Sequence, residues 1–271
     1  MKLPLYQVDA FTHRRFHGNP AAVCPLEQWL PDETLQAIAR ENNLSETAYY
    51  VRQRLGGSEQ VELRWFTPAV EVDLCGHATL AAAYVMFALR KELDGDRVQF
   101  QTRSGALTVE RDGNRYALNF PSRPPKACDV HPLLTEALGP PPEIIMASRD
   151  YLCVYPSEEA VLQLTPDMGK LAQIDRFAVI VTAPGSTPAE GKDGCDFVSR
   201  FFAPAQGVAE DPVTGSAHCT LIPYWSRRLS KKHLFARQCS ARGGELWCED
   251  LGERVRISGQ AASYLEGTIT I

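Results

Sequence analysis

The chain has 271 residues, of which 44% are hydrophobic and 23% are charged, and its formal net charge is -5. A chain of this length can bury a large core as one large domain or as two ordinary ones, so it needs no metal or disulfide for stability. The mild acidity argues against nucleic acid as the main partner, and there is no run of about 18 apolar residues that would predict a membrane span.

The first half predicts several strands and two helices. The opening run "LYQVDAF" reads as a strand rather than a signal peptide, so a cytoplasmic location is expected. A helix is expected at 33–43, and the apolar spacing within 78–89 predicts a second helix. Because nearly every residue of that second helix is apolar, protein should surround it on all sides. Short β-branched or aromatic runs predict further strands at 47–54, 61–67, 97–102, 106–113 and 116–120.

The second half has a similar mixture. A helix should start at Ser216, and Pro223 should kink it about two turns later. The basic stretch 226–238 is interpreted as a solvated helix end or turn rather than a nucleic-acid site. Neither the histidine spacing nor any phosphate-loop motif indicates a metal or cofactor, and the eight scattered cysteines are interpreted as thiols. Further strands are predicted at 177–183, 196–202, 254–259 and 267–271.

The two halves contain related segments. Three pairs match in the same order: "RWFTPA" (64–69) with "RFFAPA" (200–205), "LPDETLQAI" (30–38) with "LTPDMGKLAQI" (164–174), and "GHATL" (from Gly76) with "GSAHCTL" (from Gly215). Such ordered self-similarity favours a duplicated unit. We therefore predict two pseudo-symmetric domains at 1–122 and 123–264. The C-terminal strand, 265–271, is expected to pack back onto the first.

Two helix starts, "CGHA" (75–78) and "TGSA" (214–217), predict an anion site. The first N–H groups of a helix and its dipole favour a negative charge. If the two halves face each other, Gly76 and Gly215 can hold one carboxylate, or a developing enolate, from opposite sides. This arrangement suits proton abstraction next to a carboxylate. Ordinary helix capping is the alternative interpretation.

Four acidic or imidazole side chains are candidates for the chemistry. Glu46 lies between a helix and an aromatic strand, where a desolvated carboxylate can exchange a proton near neutrality. His77 could donate a hydrogen bond to substrate or act as an acid, and Asp211 could orient a polar group. Asp73 is a further candidate. The alternatives are a solvated or capping Glu46, a buried structural His77, and two aspartates that stabilise helix N-termini.

Cys75 raises the question of a racemase. Racemisation with two thiols needs one thiol on each face of the substrate carbon. The equivalent position in the second half is Thr214, so a symmetric thiol pair is not expected. A helix N-terminus would lower the pKa of Cys75, but a role as a small buried hydrophobe is at least as well supported.

The chain resembles the PhzF-like phenazine-biosynthesis proteins over its whole length. The resemblance depends on five blocks: "VDAFT", "FHGNPAAV", "ENNLSETAYYV", "RWFTPAVEVDLCGHATLAAAYV" and "RFFAPAQGVAEDPVTGSAHCTLIPYW". It implies an α+β fold like that of diaminopimelate epimerase, with two similar domains, each a β-barrel-like sheet around a central helix. It further implies an active site in the cleft between those domains, and a homodimer.

The resemblance also implies site residues and an activity. Glu46 matches the family's acid/base glutamate, His77 its histidine, and Asp211 and Ser216 its acidic and small polar residues. Gly76 and Gly215 match the anion-binding turns. For the member that acts in phenazine synthesis, the implied reaction is a cofactor-free isomerisation of a dihydro-hydroxyanthranilate. For this chain we expect a cofactor-free isomerisation of a small carboxylate-bearing substrate. Two alternatives stay open: an epimerase that uses Cys75 as one base, and a non-catalytic binding or interaction protein.

Overall fold

The computed structural model describes residues 1–55, 58–186 and 194–271, which divide into two compact units. Unit 1 comprises Met1–Asn119 and Ser258–Ile271, and unit 2 comprises Phe120–Ile257. Within the described ranges, no helix is both long enough and apolar enough to cross a membrane. Each unit combines paired strands with a few helices, so the fold class is α+β.

Most of the elements are strands. The strands are β1 (Lys2–Ala10), β2 (Asn19–Leu26), β3 (Glu46–Leu55), β4 (Ser58–Phe66), β5 (Glu71–Val72), β6 (Arg97–Thr102), β7 (Gly105–Asp112), β8 (Arg115–Pro121), β9 (Ile144–Ala147), β10 (Tyr151–Val154), β11 (Val179–Pro184), β12 (Phe197–Phe202), β13 (His233–Gln238), β14 (Gly244–Asp250), β15 (Arg254–Gly259) and β16 (Ala261–Thr270). The helices are α1 (Asp32–Asn42), α2 (Gly76–Tyr84), α3 (Pro132–Leu138), α4 (Glu158–Leu162), α5 (Met168–Leu171) and α6 (Gly215–Leu229).

The strands of the two units repeat one pairing pattern. In unit 1, β1–β2 is antiparallel, β2–β3 parallel, β3–β4 antiparallel, β4–β6 parallel and β6–β7 antiparallel. In unit 2, the pairs β9–β10, β10–β11, β11–β12, β12–β13 and β13–β14 have the same five orientations in the same order. Helices α2 and α6 occupy the same place in this order, after β4 and after β12. The repeat seen in the sequence is therefore a repeat of topology. In unit 1, β16 also pairs with β1, and the two-residue β5 pairs with β4.

Each "RxF" segment of the repeat forms the same local contact. The Arg64 guanidinium donates to both carboxylate oxygens of Glu71, at 2.7 Å each, and lies over the Phe66 ring. In unit 2, Arg200 donates to both oxygens of Glu210, at 2.8 and 3.0 Å, and lies over the Phe202 ring. A bidentate Arg–carboxylate pair holds both partners in one geometry. The pair thus anchors the segment that leads from the strand to the following helix.

Helix α2 is the central element of unit 1. Every residue from His77 to Ala83 is buried, and the helix contacts β1, β2, β3, β7 and β16. An all-round apolar helix of this kind needs protein on every side, and the curled sheet supplies it. The helix was predicted to run to residue 89. Instead α2 ends at Tyr84 and a π-helical turn follows at Val85–Leu89, which keeps Val85, Met86 and Phe87 buried.

The sequence patterns failed to predict strands β2, β9, β10, β13 and β14. Strand β2 contains two prolines, which hide a strand pattern, and β9 and β10 have four residues each. Strands β13 and β14 were also missed. The interpretation of 226–238 as a solvated end or turn was wrong beyond the end of α6, because β13 alternates buried Leu234, Ala236 and Gln238 with more exposed, partly basic residues. The charges masked a half-buried strand.

Candidate active site

The start of α2 places two predicted site residues side by side. Cys75 is the residue before the helix, in an extended conformation, and Gly76 begins the helix. Thr79 closes the first turn, because both its N–H and its hydroxyl donate to the Cys75 carbonyl, at 3.2 and 2.6 Å. The Cys75 side chain makes no capping bond to the helix. His77, in the first turn, is directed into the protein and its side chain is only 7% exposed.

Glu46 meets His77 from a different element. Glu46 is the first residue of β3, and its Oε2 lies 3.1 Å from His77 Nε2. On the other side of the ring, Cys75 Sγ lies 3.5 Å from His77 Nδ1. The imidazole therefore sits between a carboxylate and a thiol. Although they touch, Glu46 Oε2 and His77 Nε2 are both buried and neither makes a hydrogen bond to the described residues.

The protonation of this cluster follows from burial and charge. Burial raises the pKa of the Cys75 thiol to about 11, and the Glu46 carboxylate adds to this shift. For His77, burial opposes the charged ring, but the interactions with Cys75 and Glu46 outweigh burial and raise its pKa well above the usual range. Near neutral pH, Cys75 is thus a neutral thiol, and the Glu46 carboxylate is the charge that favours the protonated His77 ring.

The same three side chains could also hold a metal ion. One ligand atom from each of Glu46, Cys75 and His77 lies within 4.8 Å of the other two. Within the described part of the chain, this is the one group of three such residues with ligand atoms this close.

The start of α6 in unit 2 is built around Gln238. Thr214 precedes the helix, and its N–H donates to Gln238 Oε1 at 2.8 Å. Gln238 Nε2 donates to the Asp211 carbonyl at 2.8 Å, and the Thr214 hydroxyl donates to the Asp211 carboxylate. Thr214 therefore directs its hydroxyl to Asp211 and makes no capping bond to the helix. Its carbonyl contacts Nδ1 of the buried His218 at 2.8 Å.

Arg149 is a polar contact of this second helix start that sequence reasoning missed. Its guanidinium forms a bidentate pair with the buried Asp150 at 2.9 and 3.0 Å, and it also donates to Ser216 Oγ at 3.2 Å. The Phe177 ring lies beneath it, 4.3 Å from the guanidinium carbon. Together these contacts fix a cation at the helix N-terminus. The sequence around Arg149 contains no recognisable motif that would have predicted this contact.

The structure thus brings the predicted site residues together in two groups. Unit 1 holds Glu46, Cys75, Gly76 and His77, and unit 2 holds Asp211, Gly215 and Ser216. Asp73 is exposed, and its backbone carbonyl accepts a hydrogen bond from Ser104 Oγ at 2.8 Å. Asp73 is not a member of the carboxylate–imidazole–thiol cluster, which we call the Glu46 cluster (Glu46, Cys75 and His77).

Solved structures share this fold over nearly the whole chain. A PhzF-family crystal structure from Enterococcus faecalis has a TM-score of 0.93 and 44% sequence identity, with 100% of both chains covered. A hydroxyproline epimerase from Agrobacterium vitis has a TM-score of 0.57 at 9% identity, over 99% of this chain and 92% of that chain, and shares the fold alone. The duplicated α+β fold is thus shared with PhzF-family and epimerase structures.

The sequence comparison identifies the family. Residues 8–267 match the PhzC-PhzF family, described as phenazine biosynthesis-like protein. An "uncharacterized isomerase" of Pseudomonas aeruginosa is 53% identical over 272 residues and 100% of both chains. The chain therefore belongs to the phenazine biosynthesis-like (PhzC-PhzF) family. The resemblance inferred from the sequence blocks and the diaminopimelate epimerase-like α+β fold are both confirmed.

Proposed function

We propose that the protein is a cofactor-independent isomerase that moves a proton between two carbons of a small carboxylate-bearing substrate. The observation that carries this proposal is the contact of Glu46 Oε2 with His77 Nε2 at 3.1 Å. Both atoms are buried and lack a hydrogen bond within the described residues. Buried polar atoms without partners are uncommon and are often functional.

In the proposed reaction, the Glu46 carboxylate removes a proton from a carbon next to a carbonyl or carboxyl group. The electron pair of that C–H bond moves into the conjugated system, and the negative charge develops on an oxygen. His77, charged near neutral pH, stabilises that oxygen by donating from Nε2. The resulting carboxylic acid of Glu46 then returns the same proton to another carbon. The substrate gains and loses no atoms, so no external acid, base or oxidant is required.

The state of Cys75 favours this shuttle over epimerisation by a thiol pair. A thiol with a pKa of about 11 is mostly protonated near pH 7 and is therefore a poor base. The position equivalent to Cys75 is Thr214, whose hydroxyl donates to Asp211. The second base that an epimerase would need is thus not a thiol at the equivalent position.

The test is incorporation of solvent deuterium into candidate substrates. Cyclic and amino-acid carboxylates would be screened with the full-length protein in D2O, and products would be read by mass spectrometry and NMR. We expect Glu46→Gln to abolish exchange or isomerisation, because the amide cannot accept the proton, and Cys75→Ser to retain most of it. The reverse pattern would support the thiol epimerase. A carboxylate that binds without exchange or isomerisation in the wild type would favour a binding protein.

A further inference from the structure

The Glu46 cluster has a ligand set that differs from that of an ordinary acid/base pair. A carboxylate oxygen, an imidazole nitrogen and a thiol sulfur converge from two elements, β3 and the start of α2, to within 4.8 Å of one another. The proton shuttle uses Glu46 and His77 but gives the Cys75 sulfur no chemical step. The proposed shuttle therefore does not account for the position of this buried thiol beside two other potential metal ligands.

The separations inside the cluster suit a small tetrahedral ion. Zinc binds thiolate sulfur at about 2.3 Å and histidine nitrogen at about 2.0–2.1 Å, so neighbouring tetrahedral ligands lie roughly 3.3–3.6 Å apart. Cys75 Sγ and His77 Nδ1 are 3.5 Å apart. Glu46 is the more exposed member, with an 18% exposed side chain, and its rotatable carboxylate can close the remaining gap. Three protein ligands would leave a fourth position open.

A second observation points to a ligand at the same place. His77 has a side chain that is 7% exposed, and its Nε2 makes no hydrogen bond to the described residues. Glu46 Oε2, which faces it, is likewise buried and without a hydrogen bond. These two atoms face each other at 3.1 Å without hydrogen-bond geometry, so a ligand that binds the cluster would replace this contact rather than a satisfied hydrogen bond.

We propose that Glu46, Cys75 and His77 form an inhibitory site for a thiophilic divalent cation such as Zn2+. A thiolate and an imidazole favour zinc, cobalt or cadmium, whereas magnesium and calcium prefer ligand sets made only of oxygen. Binding replaces the thiol proton, and the proton on the coordinating ring nitrogen, with the metal ion, and both protons pass to solvent. The bound ion removes the base and the proton donor together, so it blocks the proposed shuttle. The inhibitory part of the inference rests on the proposed function, but the binding part does not.

Cobalt is the spectroscopic probe for the binding test. The full-length wild-type protein would be titrated with Co2+, and the near-ultraviolet band of sulfur-to-cobalt charge transfer would be recorded. We expect the band to saturate at one equivalent and to disappear when Zn2+ displaces Co2+. Millimolar Mg2+ should leave the band unchanged. Absence of a saturable band in the wild type would overturn the proposal.

Two variants locate the site. Cys75→Ser removes the sulfur with little change in size, and it should abolish the band and weaken Zn2+ binding at least tenfold. Cys128→Ser is the matched control, because Cys128 is a partly exposed thiol of unit 2 outside the cluster, and it should keep the band. A band that survives Cys75→Ser, or is lost in Cys128→Ser, would contradict the assignment. Should Cys75→Ser fail to fold by circular dichroism, Glu46→Gln provides the second variant, which should retain the band and weaken Zn2+ binding.

The charge-transfer band measures metal binding and the deuterium assay measures catalysis, so the two proposals can fail independently. If Co2+ binds through Cys75 but no carboxylate shows exchange or isomerisation, the metal site stands and the proposed isomerase fails. If turnover occurs and Glu46→Gln abolishes it, but no charge-transfer band forms, the isomerase stands and the metal site fails. If both hold, one equivalent of Zn2+ should suppress turnover, and a chelator should restore it.

Discussion

Thr79 and His218 occupy equivalent positions in the two units and contact equivalent atoms. Thr79 Oγ1 donates to the carbonyl of Cys75, the residue before α2, at 2.6 Å. His218 Nδ1 lies 2.8 Å from the carbonyl of Thr214, the residue before α6. The duplicated unit has thus kept a bond that closes the first helical turn while changing the side chain that makes it. The imidazole adds an ionisable group to a buried position, and this has a measurable consequence.

His218 should make the protein less stable in mild acid. Burial lowers the pKa of His218 to about 4, from the ordinary value of 6.5. Between these two values the unfolded chain takes up a proton and the folded chain does not, so stability is full above pH 6.5 and falls as the pH drops toward 4. The loss should reach roughly 3 kcal/mol. Urea unfolding of the wild type across this range measures it.

The variant His218→Thr copies the side chain of the first unit and isolates this effect. It keeps a donor for the Thr214 carbonyl, so its unfolding free energy should depend less on pH between 6.5 and 4, whatever its stability at pH 7. His233→Thr is the control, because the His233 side chain is 77% exposed, and it should keep the wild-type dependence. Equal slopes for all three proteins would refute the assignment to His218.

Arg200→Lys should destabilise the protein by about 1–3 kcal/mol. Lysine cannot reproduce the bidentate pair with Glu210, nor the bonds of Arg200 Nη1 to the carbonyls of Val161 and Leu164 at 3.1 and 2.8 Å. Chemical unfolding measures the change. Arg237→Lys serves as comparison: its nearest contact with Glu245 is 3.8 Å, so the cost should stay within about 0.5 kcal/mol. Similar losses in both variants would show that the paired geometry of Arg200 is unimportant.

Gly18→Ala should be far more damaging than Gly113→Ala. Both glycines have positive φ, of 66° and 62°, so an added Cβ strains the backbone at either site by about 1–2 kcal/mol. At Gly18 that Cβ would also lie 2.2 Å from the Ala10 carbonyl oxygen, whereas nothing lies within 4 Å of it at Gly113. Thermal melting of the two variants should separate them clearly. Equal melting temperatures would contradict the predicted clash.

Cys75 should resist alkylation in the native protein. Its burial and its pKa of about 11 leave little thiolate near pH 7.5, and little access for a reagent. The partly exposed Cys128 should react first with iodoacetamide, and Cys75 should react only after unfolding. Peptide mapping by mass spectrometry after timed alkylation gives the order. Rapid labelling of Cys75 in the folded protein would instead indicate an accessible thiolate and would favour the epimerase.

Local sequence patterns predicted the enclosed helix and the duplication, because both leave a signal within short segments. The apolar run after Gly76 indicated a helix enclosed by strands, and the repeated "RxF" segments indicated a duplication. Strand β2 was missed because its prolines oppose strand formation locally, while its neighbours β1 and β3 hold it in the sheet. Basic residues likewise hid β13. In both strands, the sheet contacts outweigh the local signal.

The family pattern supplied the candidate site residues, whereas the contacts between them could not be predicted from the sequence. Glu46 and His77 are far apart in sequence, and nothing in their spacing predicts a 3.1 Å contact. The role of Gln238 lay hidden in a basic stretch, and that of Arg149 in a short loop. Both act on the start of α6 through side-chain hydrogen bonds between residues far apart in the sequence, which leave no periodic signal. The predicted assignment of Asp211, Gly215 and Ser216 to substrate stays a prediction.

The helices that start after Cys75 and Thr214 have no side-chain capping bond, although serine or threonine could supply one at either position. Serine or aspartate at an N-cap stabilises a helix by about 0.5–2 kcal/mol, and Thr214 already carries a suitable hydroxyl but directs it to Asp211. Selection of this chain for thermal resistance alone should therefore enrich serine at position 75. Under the proposed function, such variants would gain heat tolerance while competing with a substrate anion for the helix N–H groups. On that proposal, the uncapped turns give up helix stability in favour of turnover.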